Sequence, residues 1–231
     1  MYEVNGKTVR TWNPFVGCNH DCVYCYAKGI AKRQKKRCQL CYEFVPHMHP
    51  ERLTKRFKPG ETVFVCSMGD IAFASRYNIL SINEVIGNNP DTTFLIQTKN
   101  PSYFDTILHW EIPYPSNAVY GTTIETNRST KEFSKSPQTY YRYKWLHFID
   151  TTRKYVTIEP IMKFDMVMMV SWIRNIKPEF VYVGYNSRDS KNKHLPEPSL
   201  ANTEVLISEL EKITEVRRKL IRKAWWENDE A

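Results

Sequence analysis

Three cysteines, Cys18, Cys22 and Cys25, lie in the segment Gly17-Cys18-Asn19-His20-Asp21-Cys22-Val23-Tyr24-Cys25-Tyr26-Ala27, with spacing C-x3-C-x2-C and an aromatic residue before the third. A four-iron cluster normally takes four cysteine thiolates, so three leave one iron without a protein ligand. An iron open in this way can chelate the amino and carboxylate groups of S-adenosylmethionine and hold its sulfonium beside a low-potential electron donor. On this reading the three cysteines bind a [4Fe-4S] cluster that cleaves S-adenosylmethionine reductively. Two other readings stay open. C-x2-C is also common zinc spacing, with His20 available as a fourth ligand, although zinc gives Tyr24 no reason to be there; the cysteines could also be inert core residues.

A second set, Cys38, Cys41, His47 and His49, has the spacing C-x2-C-x5-H-x-H. It offers four tetrahedral zinc ligands, although H-x-H is tighter than the usual histidine spacing. An auxiliary iron-sulfur site is one alternative. Another is no metal at all, with His49-Pro50-Glu51 simply opening a helix. Five of the six cysteines fall between Cys18 and Cys41, which suits metal ligation in a reducing compartment better than a disulfide framework. Cys66, in an apolar run, reads as a small core residue.

The elements that must position these residues alternate. Short β-rich runs at Val9–Trp12, Thr62–Ser67, Thr92–Thr98, Ala118–Ile124, Tyr155–Glu159 and Phe180–Tyr185 read as strands covered on both faces. Helices are expected at Ile79–Asn88, Pro101–Leu108, Tyr140–Phe148 and Met166–Asn175. Six strands with right-handed crossovers predict an α/β chain, a (βα)6 partial TIM-type barrel. Residues 1–200 form that domain, with the Cys/His set as an insert at 38–49. Residues 201–231 are expected as a basic amphipathic helix packed on the barrel, from the spacing of Leu206, Ile207, Leu210, Ile213, Val216, Leu220 and Ile221 over Asn202–Trp226. Lys191–Pro198 reads as an exposed connection.

Polar residues gather after the predicted strands, at the end where α/β barrels place their chemistry. They are Ser67, Gly69 and Asp70, then Thr98 and Lys99, then Thr122, Thr123 and Glu125, and finally Glu159 and Asn186. Each also has a plainer reading as a cap or turn residue. Glu159 needs a partner if buried, and Lys99 is the candidate.

The 33 Lys and Arg against 25 Asp and Glu give a formal charge of +8, which favours a polyanionic partner such as DNA or RNA. The cations concentrate in Lys28–Arg37 and Lys212–Lys223. The second run precedes Trp225 and Trp226, which either stack on an unpaired base or pack against the barrel. With 42% hydrophobic and 25% charged residues the chain has globular rather than disordered composition. No apolar run reaches the ~20 residues of a membrane span. Glu3, Asn5 and Lys7 stand where a signal peptide needs an apolar core, so a cytoplasmic, non-membrane protein is expected.

The C-x3-C-x-aromatic-C motif resembles the signature of the radical SAM superfamily. HPERL (49–53), FVCSMGD (64–70), FLIQTKN (94–100), GTTIET (121–126), VTIEP (156–160) and VGYNSR (183–188) are similar, in order, to segments of a phage-associated radical SAM family of unsettled function related to spore photoproduct lyase. The likeness spans most of residues 10 to 190. It implies that the cluster loop follows the first strand and that Tyr24 packs near the adenine. It also implies that Ser67, Gly69, Asp70, Thr98, Lys99, Thr123, Glu125 and Glu159 face the cosubstrate, with Asp70 and Thr123 or Glu125 holding its amino group, ribose or carboxylate. A reductase, flavodoxin or ferredoxin would supply electrons. The substrate expected is a nucleic acid or nucleotide. A peptide or small metabolite is the alternative within the same chemistry, and a non-catalytic zinc-dependent nucleic-acid-binding module is the alternative outside it. Cys66, Tyr26 and Tyr185 are the only radical-relay candidates, and the sequence singles out none.

Overall fold

The computed structural model describes residues 3–4, 7–109, 112, 114–149, 153–187 and 195–228. In chain order, β1 (Glu3–Val4) and β2 (Lys7–Thr8) form a small antiparallel pair. Next come β3 (Arg10–Trp12), β4 (Phe15–Val16), α1 (Tyr26–Ala31), α2 (Gln39–Glu43) and β5 (His47–Met48). The alternating part follows: β6 (Thr62–Val65), α3 (Arg76–Gly87), β7 (Thr93–Thr98), α4 (Ser102–His109), β8 (Ala118–Thr123), α5 (Thr139–Phe148), β9 (Lys154–Ile158), α6 (Met166–Ile176), β10 (Phe180–Val183), α7 (Leu200–Glu211) and β11 (Glu215–Arg218). The main sheet has seven strands in the order β11-β10-β9-β8-β7-β6-β3. Pairing is parallel in β3/β6, β6/β7, β9/β10 and β10/β11.

Every residue of β8, β9 and β10 is buried, as continuous apolar runs require when both faces of a strand are covered. Helices start where hydroxyls can cap them: Ser75 Oγ accepts the Asn78 N–H, and Ser199 Oγ accepts that of Asn202.

Contacts divide the chain into two compact units. The first comprises residues 1–21 and 25–121, the second 22–24 and 122–231. In the first, Trp12, Phe57 and Phe94 pack edge to face at 5.1–6.0 Å, and the Trp12 indole donates to the Arg52 carbonyl. In the second, the Tyr143 ring stacks on Trp172 at 4.8 Å between α5 and α6, and Leu206, Ile207 and Leu210 are fully buried.

The carboxy-terminal expectation needs correction. The helix ends at Glu211 rather than running to Trp226, and 215–218 form a seventh strand beside β10. The Ile213 and Thr214 amides both turn back to the Leu210 carbonyl, closing the helix, and β-branched Ile213, Thr214 and Val216 suit the extended chain that follows. From this edge strand the Arg217 guanidinium reaches over the Phe180 ring of β10, 3.5 Å from its centroid, in a cation–π contact. Of the connection expected to be exposed, residues 191–194 lie outside the described residues. Leu195 and Glu197 are buried.

Candidate functional site

In the first unit the start of the cysteine loop is built by close backbone approach. Gly17 has φ +94°, and a Cβ on it would overlap the Val45 carbonyl. Gly69 meets Gly17 in an isolated parallel bridge, and a Cβ there would stand 2.8 Å from the Gly17 oxygen. Both positions therefore need glycine. The Gly17 N–H donates to Met68 O, Asp70 N–H to Gly17 O, and Cys18 N–H to Phe44 O at 3.2 Å. Cys18 Sγ accepts the His20 N–H and Cys25 Sγ, capping α1, accepts that of Lys28, both at 3.4 Å. Cys18, Cys25 and Met68 pack on the buried Ala27, Ala31 and Phe44. The Tyr26 hydroxyl donates to the Ser67 carbonyl, while the Ser67 hydroxyl donates to Asn13 Oδ1.

Asp70 is the polar hub of this unit. Its carboxylate accepts from the Ala72 N–H, the Thr98 hydroxyl and the Lys99 N–H, and faces His20 Nε2 at 3.1 Å. Burial alone would push its carboxyl up, but the hydrogen bond and charge of His20, with the Lys99 and Thr98 donors, outweigh that and hold it below the usual carboxylate range.

Cys22 and Tyr24 belong to the second unit, where a hydrogen-bonded chain links them. Cys22 Sγ lies 3.2 Å from Ser134 Oγ, and Ser134 Oγ lies 2.6 Å from Ser136 Oγ. Ser136 Oγ accepts from Arg142 Nη2, Arg142 Nη1 pairs with Glu125 at 2.8 Å, and Glu125 Oε1 accepts the Tyr24 hydroxyl at 2.5 Å. Arg142 and Glu125 are wholly buried, and Arg142 also donates to the carbonyls of Thr123 and Pro137. Burial first, then the Glu125 charge, pushes the Tyr24 phenol well above its usual value. The Tyr24 ring packs with Met162, Leu195, Cys22 and Phe133. Arg142, Ser134 and Ser136 were not anticipated. A signal for Arg142 existed, since it shares a helical stripe with the buried Thr139 and Leu146.

The second Cys/His set converges. Cys38 Sγ, Cys41 Sγ, His47 Nε2 and His49 Nε2 lie within 4.8 Å of one another. His47 Nε2 is 3.6 Å from Cys38 Sγ, 3.4 Å from Cys41 Sγ and 2.9 Å from His49 Nε2, which is itself 3.1 Å from Cys41 Sγ. Burial, then the neighbouring Cys38, pushes the Cys41 thiol up to about 11, and burial lowers the His49 imidazole.

The sequence profile of a family described as a protein of unknown function, DUF5131, matches residues 6–194. The chain belongs to that family. No curated protein sequence matches it. Solved structures share the fold of this DUF5131 chain. A spore photoproduct lyase variant carrying a dinucleoside spore photoproduct aligns with TM-score 0.64 at 10% identity, over 89% of this chain and 75% of that one. Streptococcus suis SuiB bound to precursor peptide SuiA aligns with TM-score 0.56 at 12% identity, over 90% of this chain and 48% of that one. Both are radical SAM enzymes, and the DUF5131 chain shares their α/β fold.

The remaining predicted residues of the DUF5131 chain divide. Thr123 is buried, its carbonyl held by Arg142. Glu159 pairs with Lys219 rather than Lys99, and Lys219 follows the edge strand that replaces the expected carboxy-terminal helix. Trp225 and Trp226 are half-buried and donate their indole N–H groups to the Leu195 and Glu197 carbonyls, which is the packing alternative. None of the six cysteines is in a disulfide. No helix among the described residues is long and apolar enough to cross a membrane.

Proposed function

We propose that this chain is a radical SAM enzyme whose cluster is held by Cys18, Cys22 and Cys25 and whose substrate is a nucleic acid or nucleotide. The carrying observation is the three-cysteine motif in a chain with this fold. The donor set fits the cluster. The thiols are outside any disulfide and half-buried, and those of Cys18 and Cys25 each accept a backbone N–H, as metal-bound sulfurs do. When bound, the cluster would supply the electron that splits S-adenosylmethionine into methionine and a 5′-deoxyadenosyl radical.

The protein's own contribution is positioning. Gly17 and Gly69 fix where the cysteine loop leaves the sheet. Tyr24 presents a ring whose rotation is fixed at the hydroxyl by Glu125, which Arg142 in turn anchors; such a ring suits the adenine contact. Asp70 and Glu125 remain proposed cosubstrate-facing residues, each held in place by the protein donors around it. Ser67, Gly69, Thr98, Lys99, Thr123 and Glu159 remain the proposed surroundings of the cosubstrate. Electrons would come from a reductase, flavodoxin or ferredoxin.

The basic run after the motif supports a nucleic-acid substrate. Lys32, Arg33, Lys35, Lys36 and Arg37 are exposed and make no ion pair among the described residues. Most of the carboxy-terminal cations, by contrast, are paired: Lys212, Arg217, Arg218, Lys219 and Arg222 meet Glu209, Glu215, Glu204, Glu159 and Glu197, leaving Lys223 without an ion pair among the described residues. The dinucleoside in the spore photoproduct lyase structure points the same way, whereas the peptide bound to SuiB favours a peptide substrate as the second reading. The test is reductive cleavage of S-adenosylmethionine to methionine and 5′-deoxyadenosine by the reconstituted chain, with binding of single-stranded and duplex nucleic acid across a salt series. Cleavage is expected, with affinity that falls steeply with salt and a slope made shallower by Lys32→Ala, Arg33→Ala, Lys35→Ala and Lys36→Ala together. Absence of cleavage overturns the enzyme reading. Cleavage with salt-indifferent binding moves the substrate to a peptide or metabolite.

A further inference from the structure

The Cys38, Cys41, His47 and His49 donors meet in a way that neutral side chains alone do not explain. His47 Nδ1 lies 2.7 Å from the Val45 carbonyl, an acceptor only, so that nitrogen carries the proton. His49 Nδ1 lies 2.7 Å from Glu51 Oε1 and carries its proton for the same reason. Both Nε2 lone pairs therefore point at each other across 2.9 Å, with two sulfurs alongside. Such a convergence of lone pairs calls for a cation between them. Zinc fits: bonds of roughly 2.3 Å to sulfur and 2.0–2.1 Å to nitrogen give tetrahedral edges of about 3.3–3.8 Å; His47 stands 3.6 and 3.4 Å from the two sulfurs, while the 2.9 Å between the imidazoles and the 3.1 Å from Cys41 to His49 are a few tenths of an ångström shorter. The orienting partners behind each imidazole are those that metal-bound histidines have. A multi-iron cluster does not fit, because four donors within 4.8 Å of one another surround a single ion.

The same loop is bonded to the segment that leads into Cys18. β5 pairs antiparallel with β4, placing Phe15 opposite Met48 and Val16 opposite His47. The His49 N–H donates to the Pro14 carbonyl at 2.6 Å, the Phe44 carbonyl accepts the Cys18 N–H, and the Val45 carbonyl lies against Gly17. Few apolar side chains hold this loop: Leu40 and Val45 are exposed, leaving Cys41 and Phe44 as its buried residues. We propose that Cys38, Cys41, His47 and His49 form a structural zinc centre that clamps the strand leading into Cys18. All four protein positions are filled, so the centre has no open site for substrate. It stands or falls independently of the proposed reaction.

The test begins with zinc per chain in the full-length protein. About one zinc, in keeping with a single four-ligand centre, should remain through gel filtration, including when Cys18, Cys22 and Cys25 are all changed to Ala. It should be lost when Cys38→Ser and Cys41→Ser are combined. Absence of zinc in the wild type, or zinc indifferent to the double change, overturns the proposal. Should the double variant not fold, Glu51→Gln decides, because Glu51 is exposed and touches the centre only through His49. Zinc affinity against a competing chelating dye should fall about 10–100-fold, and unchanged affinity overturns the assignment. Cobalt in place of zinc should give the intense visible bands of a tetrahedral thiolate site, and an octahedral spectrum counts against it. For the clamp, stripping zinc should speed hydrogen exchange at the Cys18 and His49 amides. Unaltered exchange there would remove the positioning role.

Discussion

The two cysteine loops differ in how many donors they bring and in what surrounds them. The 38–49 loop closes on itself: two thiols and two imidazoles from twelve residues crowd within 4.8 Å, each imidazole held from behind by an oxygen. The 18–25 loop brings three thiols. Each has its own hydrogen-bonding neighbour, the His20 N–H, the Lys28 N–H or the Ser134 hydroxyl, and a buried polar chain through Arg142 and Glu125 reaches Tyr24. A full donor set can only hold its ion and stiffen the chain around it; a set one short leaves a coordination position for chemistry. On the proposed function, ligand count and the buried polar groups around the loop separate a supporting loop at 38–49 from a working one at 18–25.

If the first loop leans on the second, the largest effect should come from Gly17→Ala, at the point where they touch. Alanine at φ +94° is strained, and its Cβ overlaps the Val45 backbone, so a loss of about 2–4 kcal/mol is expected. Urea unfolding should show it, with both iron and zinc retention reduced. A variant as stable as wild type would mean that the loops are not coupled through this contact. A smaller effect is expected from Tyr24→Phe. Removing the hydroxyl leaves Glu125 buried with Arg142 as its main partner, at a cost of about 1–3 kcal/mol, while iron and zinc contents stay unchanged. Loss of iron in that variant would mean that the hydrogen-bonded chain from Tyr24 through Glu125 and Arg142 to Cys22 takes part in holding the cluster.

Much of this arrangement was legible because strands covered on both faces announce themselves. The predicted runs at 62–67, 92–98, 118–124, 155–159 and 180–185 lie on β6 to β10 with ends moved by one or two residues, and the helices α3 to α6 fall where expected. The last segment misled because its apolar residues continue at helical spacing past Glu211. Nothing local reveals that the open edge of β10 recruits Val216 and that Phe180 provides a face for Arg217. Site residues show the same division. Cys38, Cys41, His47 and His49 are close in sequence, so their meeting was readable as a possibility. The Arg142–Glu125 pair and the Glu159–Lys219 pair join residues 17 and 60 positions apart, and burial of such charges depends on partners that only the fold supplies. The family resemblance implies that Asp70 faces the cosubstrate; what the sequence did not show is that its four protein neighbours also tie that turn to the end of β7.

The measurement that bears most directly on the account is metal analysis of anaerobically reconstituted protein, with electron paramagnetic resonance of the reduced cluster before and after S-adenosylmethionine is added. About four irons and four sulfides per chain are expected at the 18–25 loop. They should be lost in Cys22→Ala but kept when Cys38→Ser and Cys41→Ser are combined, and the cosubstrate should perturb the resonance because it binds the open iron. Zinc in the 18–25 loop with no iron-sulfur absorbance, or a reduced cluster whose resonance ignores S-adenosylmethionine, would contradict the account.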